Sequence, residues 1–453
     1  MKSASGRWSS WLAFNLAAVG AAVGLGSIWR FPYLAGTNGG STFLLVFVLA
    51  CVAIATPLLV AEFMIGRRSR LSPPAAAGQV AATFGYSRSW NWIGVLGTVA
   101  GVLIMSNYTV IAGWVSAYAW KCASGEIMGL TRPEIAAHFS DFLANPWQVG
   151  FWNVVFLALV GFISARGLNR GIEIANKIRA PGLLILLLAL VAYALLQGDA
   201  ERGLTFAFQP DLSKLSPDLV LAAVGQAFYA TGVGMAMMLA YGAYVPGNVS
   251  LVRSALLISA SIVVVSVLAT AMVFPLVFQY GLDPAQGPDL VFNVLPTAFV
   301  EMPAGRLVGT LFFILLVLAA LTPSIAGMEP MVAWLQQRRG YSRSVAVLIA
   351  ILIVWFLALG SVLSFNVWKD WHPLAWTTLF QHKTVFDIVD FVSSNVLLPL
   401  GALLTCAFVG WRLPASFDQE ELAVDAPALR RLCRILLKFV CPLAIGAVLL
   451  AAL

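Results

Sequence analysis

The chain has 453 residues, 60% of them hydrophobic and only 10% charged, with a formal net charge of +7 and a mean hydropathy of +0.89. These figures exclude a soluble domain built around one large core and describe a polytopic helical membrane protein. The positive balance reads as membrane topology and makes no case for nucleic-acid binding.

In chain order, runs of about 20 apolar residues, the length that crosses a bilayer as a helix, predict spans near 11–35, 41–65, 90–121, 148–165, 178–197, 218–244, 251–281, 305–336, 343–366, 384–411 and 431–452. The expected fold class is an all-α integral membrane protein of eleven transmembrane helices in one domain, 1–453. The first run is too long for the core of a cleavable signal and carries no small-residue cleavage site. Arg67, Arg68, Arg70 and Arg88 fall between spans two and three, and Arg166, Arg170, Lys177 and Arg179 between four and five. Arg253 follows span six, and Arg338, Arg339 and Arg343 lie between spans eight and nine. Arg412, Arg430, Arg431, Arg434 and Lys438 surround the last connection. With Lys2 and Arg7, they place most of the 27 basic residues on one side. The positive-inside rule then predicts a cytoplasmic N-terminus and, after eleven spans, an outer C-terminus.

The first span contains Gly20-Ala-Ala-Val-Gly-Leu-Gly-Ser-Ile-Trp-Arg-Phe-Pro32. Glycines at 20, 24 and 26 weaken a helix that has no water to repair its backbone, and open backbone at membrane depth survives where it lines a cavity. A glycine-lined helix contact is the bland alternative. Span six repeats the feature in Gly225-Gln-Ala-Phe-Tyr-Ala-Thr-Gly-Val-Gly-Met-Ala236. Five spans per group is odd, so 11–197 and 218–411 read as two inverted repeats, with 431–452 an additional span. Interrupted helices at matching places in inverted halves point to a transporter with a midplane site, although a purely structural duplication leaves the same trace.

Intramembrane charges are costly and so are functional suspects. Arg30, Glu62, Glu329, Asp387 and Asp390 make up that set. Arg30 and Asp390 read as a pair closing an outer vestibule, or Asp390 as a solvated helix start. Glu62 and Glu329 read as hydrogen-bond partners of neighbouring helices or as proton relays. Cys51, Cys122, Cys406, Cys433 and Cys441 show no zinc or disulfide spacing. His138, His372 and His382 fall in predicted outer loops, no catalytic constellation accompanies them, and no organic cofactor or enzyme activity is expected.

At this point the chain resembles the neurotransmitter:sodium symporter family, in its bacterial amino-acid transporter branch, over nearly its whole length. The resemblance is carried by Trp8, the specific VGLGxxWRFP element, Glu62-Phe-Met-Ile-Gly-Arg67, Asn107-Tyr-Thr-Val with Trp114, the Gly225 segment, Leu321-Thr-Pro-Ser-Ile-Ala326, Glu329-Pro330 and Phe386-Asp-Ile-Val-Asp-Phe391. It implies substrate contacts from Ala21, Ala22, Gly24, Leu25, Gly26, Ile104, Tyr108, Tyr229, Gly232, Val233, Met235, Ser324 and Gly327. The amides at Gly24–Gly26 and the Tyr108 hydroxyl would meet a carboxylate. Tyr229 would be the lid, and Arg30 with Asp390 the outer gate. Glycine at 24, where monoamine carriers of the family hold an aspartate, favours a substrate with its own carboxylate. Gly232 and Gly327 imply room for a bulky side chain, unless a neighbouring helix fills it.

The ion sites depart from the pattern. For the first sodium, Ala22, Ser27 and Ala230 form a degenerate set, with Ile262 (or Ser261) at the third helix. For the second, Gly20, Val23, Ala319 and Thr322 match, while Pro323 replaces a hydroxyl residue. One sodium ion is therefore expected, at the second site, and chloride is not, because Phe47 and Ala230 stand where Tyr and Ser are expected beside Gln226 and Ser266. Ser5 and Gln337 replace the usual inner gate, with Arg7 as a substitute, which implies a weak inner closure. The reading is a multi-pass transporter of a bacterial-type inner membrane, importing a neutral, bulky hydrophobic amino acid from among small-molecule partners by sodium symport. The alternatives are a sodium-independent or proton-coupled carrier and a non-transporting sensor.

Overall fold

The structure is a computed structural model that describes residues 8–285 and 290–452. Lys2, Ser5 and Arg7, to which the sequence assigned topology and gating roles, lie outside the described residues. The elements are helices α1 (Trp11–Ala22), α2 (Gly26–Thr37), α3 (Ser41–Ser69), α4 (Pro73–Thr83), α5 (Arg88–Ser124), α6 (Arg132–Ala144), α7 (Pro146–Ala165), α8 (Gly171–Gln197) and α9 (Ala200–Phe208). They continue with α10 (Pro217–Thr231), α11 (Met237–Gly242), α12 (Leu251–Gln279), α13 (Leu290–Glu301), α14 (Gly305–Arg339), α15 (Arg343–Leu363), α16 (Val385–Arg412), α17 (Ala415–Glu421) and α18 (Pro427–Ala451). No strand occurs among the described residues.

Nine of these helices are long and apolar enough to cross a membrane, or ten if α1 and α2, bent by 51° across their break, count as one span. Several start at serines whose hydroxyls accept an orphan amide of the first turn, as Ser10, Ser216 and Ser250 do. The short helices α4, α6, α9, α13 and α17 lie in connections that the hydropathy reading left as loops.

The core forms where α5 crosses α14, the most extensive helix pair in the fold. Each has 72% of its apolar window buried, against 22% for α18 at the periphery. Helix α8 is also peripheral and turns Ile178, Ile185 and Leu196 outward. Its inner stripe, Asn176, Arg179, Leu183 and Leu187, recurs at three- and four-residue steps, the period of one helix face. Arg179 is therefore no loop cation. The hydropathy reading placed it among the topology-setting residues, whereas the helix starts earlier and carries the side chain into the protein. Arg343 is likewise drawn inward, to the buried Glu329.

Candidate functional site

Both interruptions fall where the glycines predict them. Helix α1 ends at Ala22, and Val23 is extended at φ −80°, ψ 99°. Gly232, Gly234 and Ala236 adopt positive φ of 63°, 86° and 57° between α10 and α11. A left-handed alanine is costly and tends to occur where the surroundings impose it. One such restraint is Glu62 of α3, whose Oε1 accepts the Gly234 amide at 2.7 Å. Glu62 thus serves as a backbone partner of the second break.

Between the breaks lies a cavity of about 40 Å³ lined by Ala21, Ala22, Gly24, Gly26, Ile104, Tyr108, Tyr229, Ala230, Gly232 and Met235, together with Met105, Met237 and Pro323. The Tyr108 hydroxyl accepts the Leu25 amide at 3.2 Å, and Gln226 Nε2 donates to the Gly26 carbonyl at 2.6 Å. A Cβ at Gly24 would lie 2.6 Å from Pro323 Cγ and 2.9 Å from the Tyr108 hydroxyl, so no aspartate fits without displacing both. Val233 is fully buried but does not line the cavity, and Ser324 returns its hydroxyl to Ala320. Gly327 also stands back from the cavity: a Cβ there would meet Met105 at 2.9–3.0 Å. The expected roomy pocket is thus corrected. The space beside Gly327 belongs to Met105, and that beside Gly232 to Met235 and Met237. Thioether chains yield more readily than branched ones, so this wall can adapt.

Above the cavity opens a vestibule of about 350 Å³, lined by Trp29, Tyr33, Trp114, Phe386, Asp390 and others, with Tyr229 shared between the two spaces. Arg30 lies 4.1 Å over the Tyr229 ring. Arg30 and Asp390 both line this space but make no ion pair. In this structure Arg30 covers the lid ring, and the expected gate pair is not formed.

At the far end the chain is packed shut in this structure, while Ser5, half of the expected weak inner gate, lies outside the described residues. Trp8 is 3% exposed, donates Nε1 to the Tyr241 carbonyl at 3.3 Å, and packs against the rings of Phe14, Tyr241 and Tyr244. Beside it, Arg343 Nη2 meets Glu329 Oε2 at 2.7 Å, with Tyr244 donating to the same carboxylate. Gln337 accepts the Ser72 amide at 2.6 Å.

The two expected ion sites fare differently. Ser27 is fully buried, and its hydroxyl is without a hydrogen-bond partner among the described residues. At the second site Gly20 and Thr322 come together, since a Cβ at Gly20 would lie 3.2 Å from Thr322 Cγ2. Arg179 enters the same place, donating Nη1 to the Leu318 carbonyl at 2.7 Å and Nη2 to the Gly20 carbonyl at 3.4 Å. The simple one-sodium site of Gly20, Val23, Ala319 and Thr322 does not fit these surroundings, because one of its oxygens already faces a guanidinium. Sequence reasoning missed Arg179; its place on the inner stripe of α8, two residues before Pro181, was the available signal.

A family model described as the Sodium:neurotransmitter symporter family matches residues 5–129 and 134–368. The sodium-dependent transporter YhdH of Bacillus subtilis is 36% identical over 442 residues, 97% of this chain and 96% of its own length. A sodium-dependent transporter of Haemophilus influenzae is 33% identical over 445 residues, again 97% and 96%. The crystal structure of MhsT in complex with L-phenylalanine superposes with a TM-score of 0.90 at 38% identity, covering 99% of this chain and all of that one. These relatives are transporters and not enzymes. The chain therefore belongs to the sodium:neurotransmitter symporter family and is a multi-pass membrane protein.

Proposed function

We propose that the chain is a secondary active transporter that imports a neutral, bulky hydrophobic amino acid by alternating access. The observation that carries this is the meeting of the Leu25 amide and the Tyr108 hydroxyl, 3.2 Å apart, at the break of the first span, where Tyr108 lines the same cavity as Tyr229. The Leu25 amide donates to the Tyr108 hydroxyl, so a donor amide and a hydroxyl that can turn its proton stand side by side. An arriving carboxylate would accept from both, aided by the positive N-terminal end of α2. The lack of room at Gly24 for an acid favours a ligand that brings its own. The adaptable wall of Met105, Met235 and Met237, with the L-phenylalanine of the solved relative, supports a bulky side chain.

In this reading α10 and α11 form one interrupted span, which gives eleven crossings arranged as two inverted groups of five plus α18. The vestibule faces outward, the Trp8 end faces the cytoplasm of a bacterial-type inner membrane, and the C-terminus lies outside. A second reading, carriage without sodium at the Gly20 site, is favoured by Arg179. Uptake of radiolabelled amino acids into proteoliposomes tests the proposal: saturable accumulation of L-phenylalanine or a similar solute supports it. Binding without accumulation would identify a sensor instead.

A further inference from the structure

We infer that Arg179 is a tethered cation that takes the place of a sodium ion at the Gly20–Thr322 site, so that this site works without one. The inference rests on reading the carbonyls around Gly20 as a cation position, and it deepens the proposed transport by naming what neutralises them. The guanidinium comes from α8 and reaches both α1 and α14, the two helices a bound ion would bridge. Its acceptors are the Leu318 carbonyl at 2.7 Å, the Gly20 carbonyl at 3.4 Å and the Asn176 side-chain oxygen at 3.4 Å. All three are neutral dipoles, and Arg179 makes no ion pair with a carboxylate among the described residues.

A guanidinium keeps its charge in proteins, and a buried charge needs compensation. Here compensation comes from the Leu318 carbonyl of α14 and from the Gly20 carbonyl in the last turn of α1, at the negative end of that helix's dipole, where a cation is favoured. Arg179 is 8% exposed, and its Nη2 lies 2.6 Å from where a Gly20 Cβ would stand. A metal ion in contact with the Gly20 oxygen would therefore stand against a fixed positive charge in a medium of low dielectric, where such repulsion is strong. Departures at both expected ion positions agree with this assignment. Pro323 removes a hydroxyl from the site, and Ser27, Ala230 and Ile262 leave few side-chain oxygens at the other expected position.

The test is sodium binding to the purified, ligand-free, full-length protein, followed with radioactive sodium and by thermal unfolding in sodium against choline chloride. The wild type should show no sodium binding that Thr322→Ala removes. Arg179→Ala should gain such binding, with affinity raised at least roughly tenfold, within the usual range of coupling between sites. The Arg179→Ala/Thr322→Ala pair should lose it again, and Arg179→Lys should behave as wild type. Thr322-dependent sodium binding in the wild type overturns the inference, and this arm decides even if Arg179→Ala does not fold. An Arg179→Ala protein that keeps a cooperative thermal transition yet gains no sodium binding overturns it as well. Because the substrate is absent throughout, failure of L-phenylalanine to bind in a separate assay would count against the proposed function while leaving this result to stand.

Discussion

The guanidinium of Arg30 lies 4.1 Å above the ring of Tyr229, while Asp390 across the vestibule accepts from Ser394 at 3.3 Å. The lid is thus held by a cation on its face. A contact of this kind is worth about 0.5–2 kcal/mol and needs only the ring.

Tyr229→Phe should accordingly leave substrate affinity within about threefold of wild type, since phenylalanine retains the face that Arg30 covers. Tyr229→Ala should weaken binding by roughly 10-fold or more, because it opens the cavity to the vestibule and removes a large apolar contact. Equilibrium binding to the purified protein separates these outcomes, and a phenylalanine variant as weak as the alanine one would show that the hydroxyl matters.

Tyr108→Phe probes the carboxylate end. Hydrogen bonds to charged groups contribute about 1.5–3 kcal/mol, so affinity for an amino acid should fall roughly 10- to 150-fold. Affinity for the corresponding amide, which lacks the charge, should fall much less. Equal losses for both ligands in a binding titration would remove Tyr108 from carboxylate recognition.

Met105 fills the space beside Gly327 and lines the cavity. Met105→Ala should lower thermal stability, with a cost of about 2–5 kcal/mol typical of buried methionine truncation. It should also shift preference toward larger side chains. A competition panel from alanine to tryptophan reads the shift, and an unchanged ranking would place the selective wall elsewhere.

Much of this architecture is legible in residue patterns. The long apolar runs fall on the observed helices, and glycines at 24, 232 and 234 mark the two places where the backbone leaves the helix. What eluded the sequence involves side chains that reach between distant segments. The positive-inside reading counts Arg179 and Arg343, which open the predicted spans 178–197 and 343–366, as topology markers by their charge, although both cross to partners on other helices. The filling of the Gly327 space by Met105 is invisible for the same reason, because it depends on how closely α5 approaches α14. The stacking of Arg30 on Tyr229 depends on rotamer and conformational state, which composition does not encode.

Glu329 is fully buried and paired with Arg343, with side-chain contacts of 2.9 and 2.7 Å. Removing one partner of a buried pair costs about 3–5 kcal/mol because the other charge is left behind. Glu329→Gln should therefore lower the thermal transition markedly, and adding Arg343→Met should restore part of it. A single variant of undiminished stability that instead changes the pH dependence of uptake would favour the proton-relay role for Glu329.

The most direct test of the account is accumulation of radiolabelled L-phenylalanine by proteoliposomes containing the purified protein, wild type beside Tyr108→Phe. The account predicts saturable uptake above equilibration in the wild type under an imposed ion gradient, and its sharp reduction in the variant. Uptake no greater than in empty liposomes, for L-phenylalanine and for every other neutral amino acid offered, would contradict it.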